Sequence, residues 1–124
     1  MALYIPERQH IVWLDFEPTK GREIGKYRPA LVLSSKEYNK KTGMLICCPI
    51  STSIRGSLTE VVITTLDQRS VVVTTHIHTL DWRERKVKKI APATDEEYAQ
   101  VMVRLLPLIG ALDVIQAITG SKLI

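Results

Sequence analysis

Cysteine is scarce in this sequence: of 124 residues only Cys47 and Cys48 carry thiols, and they are adjacent within MLICCPI. Neighbours in a strand point to opposite faces of a sheet, so the pair does not form a disulfide framework. With no second cysteine pair to complete a ligand set, a structural metal or redox centre is disfavoured too, and the thiols read as small buried hydrophobes in a reducing compartment. Long apolar runs are missing as well. MALYIPERQHIVWLDF lacks the apolar stretch and cleavage pattern of a secretory leader, and the apolar C-terminal stretch is broken by Pro107, Gly110 and Asp113. Neither end reads as a targeting or membrane segment, so a soluble cytoplasmic protein without a membrane partner is expected.

What is present is globular. A chain of 124 residues with 45% hydrophobic and 24% charged residues can bury one core and is too short for two ordinary domains, so a single domain over 1–124 is expected. The net charge of +4 favours an anionic partner such as nucleic acid.

Periodicity suggests strands first and helices last. HIVWLDF reads as a buried strand, EPTKGREIGKY as a long exposed loop, and PALVLS as a strand that tolerates Pro29 at its start. In SSKEYNKKTG, Ser34 and Glu37 have capping-box spacing and Gly43 is placed to end a short helix. MLICCPI is apolar enough for a central strand covered on both faces. STSIRGS is a hydroxyl-rich loop, and EVVITT and SVVVTT are strands joined by a four-residue LDQR connection. HIHTLDWRERKVKKIAP reads as a further strand followed by a basic connection. Thr94 and Glu97 repeat the capping-box spacing ahead of a helix whose packing stripe is Tyr98, Val101, Leu105, Leu108 and Leu112, with Pro107 kinking or ending it. DVIQAITG reads as a short amphipathic segment between Asp113 and Gly120. Together these predict a small antiparallel barrel of mainly β, α+β type.

Lys20, Arg22, Lys26, Arg28, Lys36, Arg55 and the RERKVKK run all fall in predicted loops or at strand ends, where loops from one barrel rim converge. Arg28 stands apart because the Pro29 ring restricts it to extended conformations. Its guanidinium suits a phosphate or a phosphorane-like transition state, and equally a structural ion pair with Glu17 or Glu23. ISTS could add hydroxyl donors, although serine and threonine are ordinary turn residues. His76 and His78 are two apart in a predicted strand and so share a face, which suits an exposed pair without a role or an acid and base working together; metal ranks low because only His10 could add a third nitrogen ligand.

VWLDFEPTKG, G-x-x-RPALVLS, YNKKTGM, CPISTS and LDWRER follow one another in an order that strongly resembles the MazF/PemK (Kid) family of toxin ribonucleases, over about the first nine-tenths of the chain. The resemblance implies an SH3-like barrel of the PemK/CcdB kind with a C-terminal helix, usually a homodimer. Proteins like it cleave single-stranded RNA, often messenger RNA, without a metal or other cofactor, and are neutralised by an antitoxin. The family's arginine in RPA falls on Arg28, its threonine after CP-x on Ser51, and its loop glutamate on Glu23. Further RNA contacts are assigned to Lys26, Thr52, Arg55, Thr79 and Arg85. Replacing threonine by serine keeps the hydroxyl and loses the methyl that restricts its rotamers.

The chain departs from the family in two places. Gln9-His10 replaces the usual Gly-Asp ahead of the first strand, and THIH supplies Thr75, His76 and His78 where Asp-Gln and a basic residue are common. His76 or His78 is therefore assigned acid–base duty or base recognition. The alternatives are a catalytically impaired relative that binds RNA or antitoxin, and a gyrase poison similar to CcdB, whose C-terminal tryptophan this chain lacks. Residues 111–124 extend beyond the family pattern, and their apolar content favours burial.

Overall fold

In the computed structural model, which describes residues 3–120, β1 (His10–Asp15) and β2 (Tyr27–Val32) pair across a long polar excursion, and α1 (Lys36–Thr42) leads into β3 (Met44–Ser51). β4 (Glu60–Ile63), β5 (Ser70–Val73), β6 (His78–Asp81) and β7 (Lys88–Pro92) complete the sheet, followed by helices α2 (Asp95–Leu108) and α3 (Ala111–Thr119). All pairings are antiparallel, in the order β4-β5-β3-β2-β1-β7, with β6 on β3 as well. One edge of β3 carries β2, while the other carries β6 at Met44–Cys47 and β5 at Ile50–Ser51. The sheet therefore curls about β3 into the expected small, mainly β barrel. The end of the 111–124 extension, residues 121–124, lies outside the described residues, as do residues 1 and 2 of the N-terminal segment.

Alternation of side chains along the central strands feeds two cores. Ile11, Leu31, Cys48 and Ile50 pack with the β4–β5 hairpin and with Val101 and Leu105 of α2. Val12, Leu14, Ala30, Val32 and Cys47 surround Trp82 on the other face. The two cysteines thus do point to opposite faces, and burial pushes both thiols up, to about 12 for Cys48, which leaves them inert.

Asn39 joins the N-terminal segment, α1 and Trp82. Its fully buried side chain accepts from Ser34 Oγ at 2.6 Å and donates to the Pro6 carbonyl at 2.9 Å, while its own carbonyl accepts from Trp82 Nε1 at 2.9 Å. This corrects the cap of α1. Ser34 Oγ faces inward, also accepting from Ile46 N at 2.8 Å, so Ser35 caps the helix through Tyr38 N at 3.2 Å. Gly43 ends it as expected, with φ 71° and its N–H on the Asn39 carbonyl.

Four other expectations are corrected. The β4–β5 connection spans residues 64–69 rather than four, because Glu97 takes Thr64 N and Thr65 Oγ1 at 2.8 and 2.6 Å and draws them out of the ladder. The basic connection after LDW contains a strand, β7, which pairs with β1 yet shows no apolar alternation because its residues are exposed or only half-buried. α2 has the expected Thr94–Glu97 capping box and ends at Leu108, one of the two outcomes expected of Pro107, and α3 departs at 84° after Gly110, which has φ 72°. Leu108 is consequently exposed, so the packing stripe stops at Leu105, and α3 buries none of its residues within this chain despite its apolar content. Among the described residues no single helix is long and apolar enough to cross a membrane.

Candidate active site

The start of β2 and the end of β3 lie side by side. Their ladder pairs Ala30 with Pro49, and continuing that register two residues sets Arg28 opposite Ser51. Arg28 Nε donates to the Gly25 carbonyl at 2.6 Å, and Nη1 lies 3.5 Å from the Ile50 carbonyl, so the guanidinium plane is oriented before any ligand arrives. Neither glutamate considered for an ion pair takes it. Glu17 accepts from Lys26 N and Glu23 from Lys20 N, each at 2.7 Å, and the one close contact of a carboxylate with a basic side chain among the described residues joins Glu7 to His10, an ion pair only when that imidazole is protonated. Partial burial lowers the Arg28 pKa, but a guanidinium remains charged throughout the physiological range. Beside it, a Cβ on Gly25 would meet the end of the Glu17 side chain, whose carboxylate would have to move off Lys26 N.

Ser51 Oγ accepts from Ser53 N at 3.1 Å, which leaves its own proton for another acceptor. Beyond it, Glu60 Oε1 collects the amides of Arg55, Gly56 and Ser57 at 3.1, 2.9 and 3.2 Å, folding the segment after β3 into a wall. The result is a cleft of about 520 Å³ lined by Arg22, Glu23, Arg28, Ser51, Arg55 and His76 among others. The Glu60 carboxylate keeps its charge while its oxygens hold these amides, so the cleft sets three arginines against the carboxylates of Glu23 and Glu60.

Five of the ten site residues chosen from sequence thus converge: Glu23, Arg28, Ser51, Arg55 and His76. Thr75, at the place of the family's aspartate, lines the same cleft. His76 lies in the turn before β6 rather than in a strand, its N–H on the Val73 carbonyl at 3.2 Å. The strand begins at His78, whose ring lies 6.3 Å from that of His76, meets the edge of Phe16 and does not line the cleft. Lys26, Thr52, Thr79 and Arg85 stand off it as well. Arg85 instead braces the loop below, Nη1 donating to the Asp15 and Glu17 carbonyls at 2.9 Å each. His10 is at the far end of β1 from Leu14, the partner of Arg28, roughly 13 Å away along the strand. There it shares a 2.8 Å hydrogen bond with Tyr4 and cannot join the other two histidines. Arg22, named from sequence only as one of the rim cations, also lines the cleft, and Ser53 and Glu60 were not singled out from sequence; the clearest signal for Glu60 was an acidic residue closing a glycine-serine turn.

Such a cleft, with three arginines and several hydroxyls at the rim of a small antiparallel barrel of the mainly β class, has the chemistry that suits an anion. A family model described as "PemK-like, MazF-like toxin of type II toxin-antitoxin system" matches residues 7–109, and the chain belongs to that family, as its motifs implied. It is similar to the endoribonuclease toxin MazF of Escherichia coli K12, at 36% identity over 110 residues that span 89% of this chain and 99% of that one. Among solved structures, MazF of Deinococcus radiodurans in crystal form I matches with a TM-score of 0.83 and 40% identity, covering 86% of this chain and 98% of its own. The MazE–MazF structure from the same organism in form III matches with a TM-score of 0.75 and 35% identity, covering 87% and 99%.

Proposed function

We propose that this chain is a toxin endoribonuclease of the cytoplasm that cleaves single-stranded RNA in the Arg28–Ser51 cleft and is neutralised by a cognate antitoxin. Its family, and relatives named as endoribonucleases, support the activity and the antitoxin partner. The observation that carries the site is the oriented Arg28 guanidinium, without a carboxylate partner among the described residues, set opposite a hydroxyl whose proton is free. The reaction is attack of the neighbouring 2′-hydroxyl on phosphorus, leaving a 2′,3′-cyclic phosphate and a 5′-hydroxyl. Arg28 holds the non-bridging oxygens as charge builds on them, Ser51 donates to the same group, and the second carboxylate oxygen of Glu23 takes the 2′-hydroxyl proton. Arg22 and Arg55 attract the adjoining phosphates. Lys26, Thr52, Thr79 and Arg85 are assigned no direct contact with the scissile phosphate. The chain acts as one domain and as a homodimer, with residues 111–124 an extension outside its catalytic part.

The test is cleavage of mixed-sequence single-stranded RNA in EDTA, with the product ends identified. Removing one oriented donor from a phosphoryl transition state costs about 10²–10³ in kcat, so Arg28→Ala is expected to lose at least that much. A wild type that binds RNA without product, or an Arg28→Ala variant as fast as wild type, overturns the enzyme reading.

A further inference from the structure

Cleavage by a 2′-hydroxyl requires a proton for the departing 5′-oxygen, and Arg28, Ser51 and Glu23 do not supply it: the first stays charged, the second is a weak acid, and the third starts as the base. His76 remains. It lines the cleft with those three residues and is half-buried. Behind it stands His78, whose Nε2 is the one buried side-chain polar atom without a hydrogen-bond partner among the described residues. Such orphans are rare in folded proteins and call for a partner that another state provides. The two rings are 6.3 Å apart and tilted by 45°, so the His76 ring is the imidazole neighbour of that orphaned nitrogen.

We infer that His76 is the general acid of this cleft and that His78 is its positioning residue, accepting a hydrogen bond from the His76 imidazolium through Nε2. The inference rests on the RNA-cleaving reading of the same cleft. The O2′–P bond forms as the P–O5′ bond breaks, Glu23 gains the 2′-hydroxyl proton, and His76 gives its proton to O5′; exchange with water resets both groups. His78 suits the role of acceptor because burial, followed by the nearby His76, lowers its pKa and keeps it neutral, with Glu23 opposing and Arg85 reinforcing that shift. The charged groups facing His76 are Glu23 from the β1–β2 excursion, Arg22 beside it, Arg28 from β2, Arg55 and Glu60 from the segment after β3, and His78. No metal or cofactor enters this step.

The experiment first maps one cleaved bond in mixed-sequence RNA, then presents that bond in an oligonucleotide with either the natural 5′-oxygen or a bridging 5′-sulfur, whose thiolate departs without protonation. General acid catalysis contributes about 10²–10⁴, so His76→Gln is expected to be slower by that factor on the oxygen linkage and within about threefold of wild type on the sulfur linkage, whereas Glu23→Gln is slow on both. His78→Leu is expected to lower kcat on the oxygen linkage with KM unchanged, and His78→Gln, which keeps an acceptor, to restore it; thermal melts confirm that both fold. A His76→Gln defect of equal size on both linkages, or none on either, overturns the assignment. If Arg28→Ala is also as active as wild type, the reading of the cleft falls with it.

Discussion

Replacing Asn39 by alanine removes a buried side chain that ties the Pro6 carbonyl of the N-terminal segment to Ser34, while the backbone carbonyl that accepts from Trp82 remains. Two groups lose their only side-chain partner: the Pro6 carbonyl, bonded to Nδ2 at 2.9 Å, and the Ser34 hydroxyl proton, donated to Oδ1 at 2.6 Å. Each buried group left unpaired costs about 1–3 kcal/mol, and the small cavity adds to that, so Asn39→Ala should lose about 4 kcal/mol. Against a total of roughly 5–15 kcal/mol this is a large fraction, equivalent to a fall of roughly 15 °C in Tm for a chain of this size. Urea unfolding at fixed protein concentration, followed by tryptophan fluorescence, reads it directly, because Trp82 donates to the Asn39 carbonyl. Ser34→Ala alone strands Asn39 Oδ1 and Ile46 N, and the double variant must lose less than the sum because the shared bond is broken only once. A loss below about 1 kcal/mol, or strict additivity, refutes the idea that this network holds the N-terminal segment to the barrel.

Three further outcomes are expected. Gln9 has φ 75° and is held by Nε2 bonds to the Ala93 carbonyl and Asp95. Gln9→Gly relieves the left-handed strain as it loses those bonds and should change stability by less than about 1 kcal/mol, while Gln9→Ala keeps the strain and should lose about 1–2 kcal/mol by the same unfolding assay. Burial alone would raise the Glu97 pKa, but hydrogen bonds from Thr65, Thr94 and Thr64 outweigh it and hold the carboxyl below its ordinary 4.5. Its contribution is therefore complete above pH 4.5 and lost as pH falls through the lower folded value, so the cost of Glu97→Gln, about 1–2 kcal/mol at pH 7, should shrink in acid. Gly25→Ala drives a Cβ into the Glu17 carboxylate and displaces the carbonyl that orients Arg28, so kcat on RNA should fall at least tenfold with the fold retained, as circular dichroism would show.

Much of the site was legible because short local motifs carry it. RPA orients its own arginine through the proline ring, and CPIS places a hydroxyl at the end of a central strand. The histidines were misread for a local reason: alternation in THIH suggests two residues on one strand face, whereas the chain turns at Thr75 and the strand starts at His78. Arg85 shows what local sequence leaves open, since a loop cation reads the same whether or not it braces the carbonyls of another loop, as Arg85 does those of Asp15 and Glu17. The unusual Gln9 also acquires a reason. Its positive φ is the conformation for which glycine is the default, which accounts for the glycine that the motif otherwise carries there.

By itself, the amino-acid order determined the β-rich class, the two-faced burial of MLICCPI, the capping of α2 and the family, since each depends on spacing within a few residues. Only the tertiary structure decided which distant polar groups meet. Arg28 faces Ser51 because two antiparallel strands share a register, Asn39 gathers groups from Pro6 to Trp82, and His10 is separated from the other histidines by the length of β1. Pairing across a sheet is fixed by the summed burial of whole strands, and no single motif carries that sum.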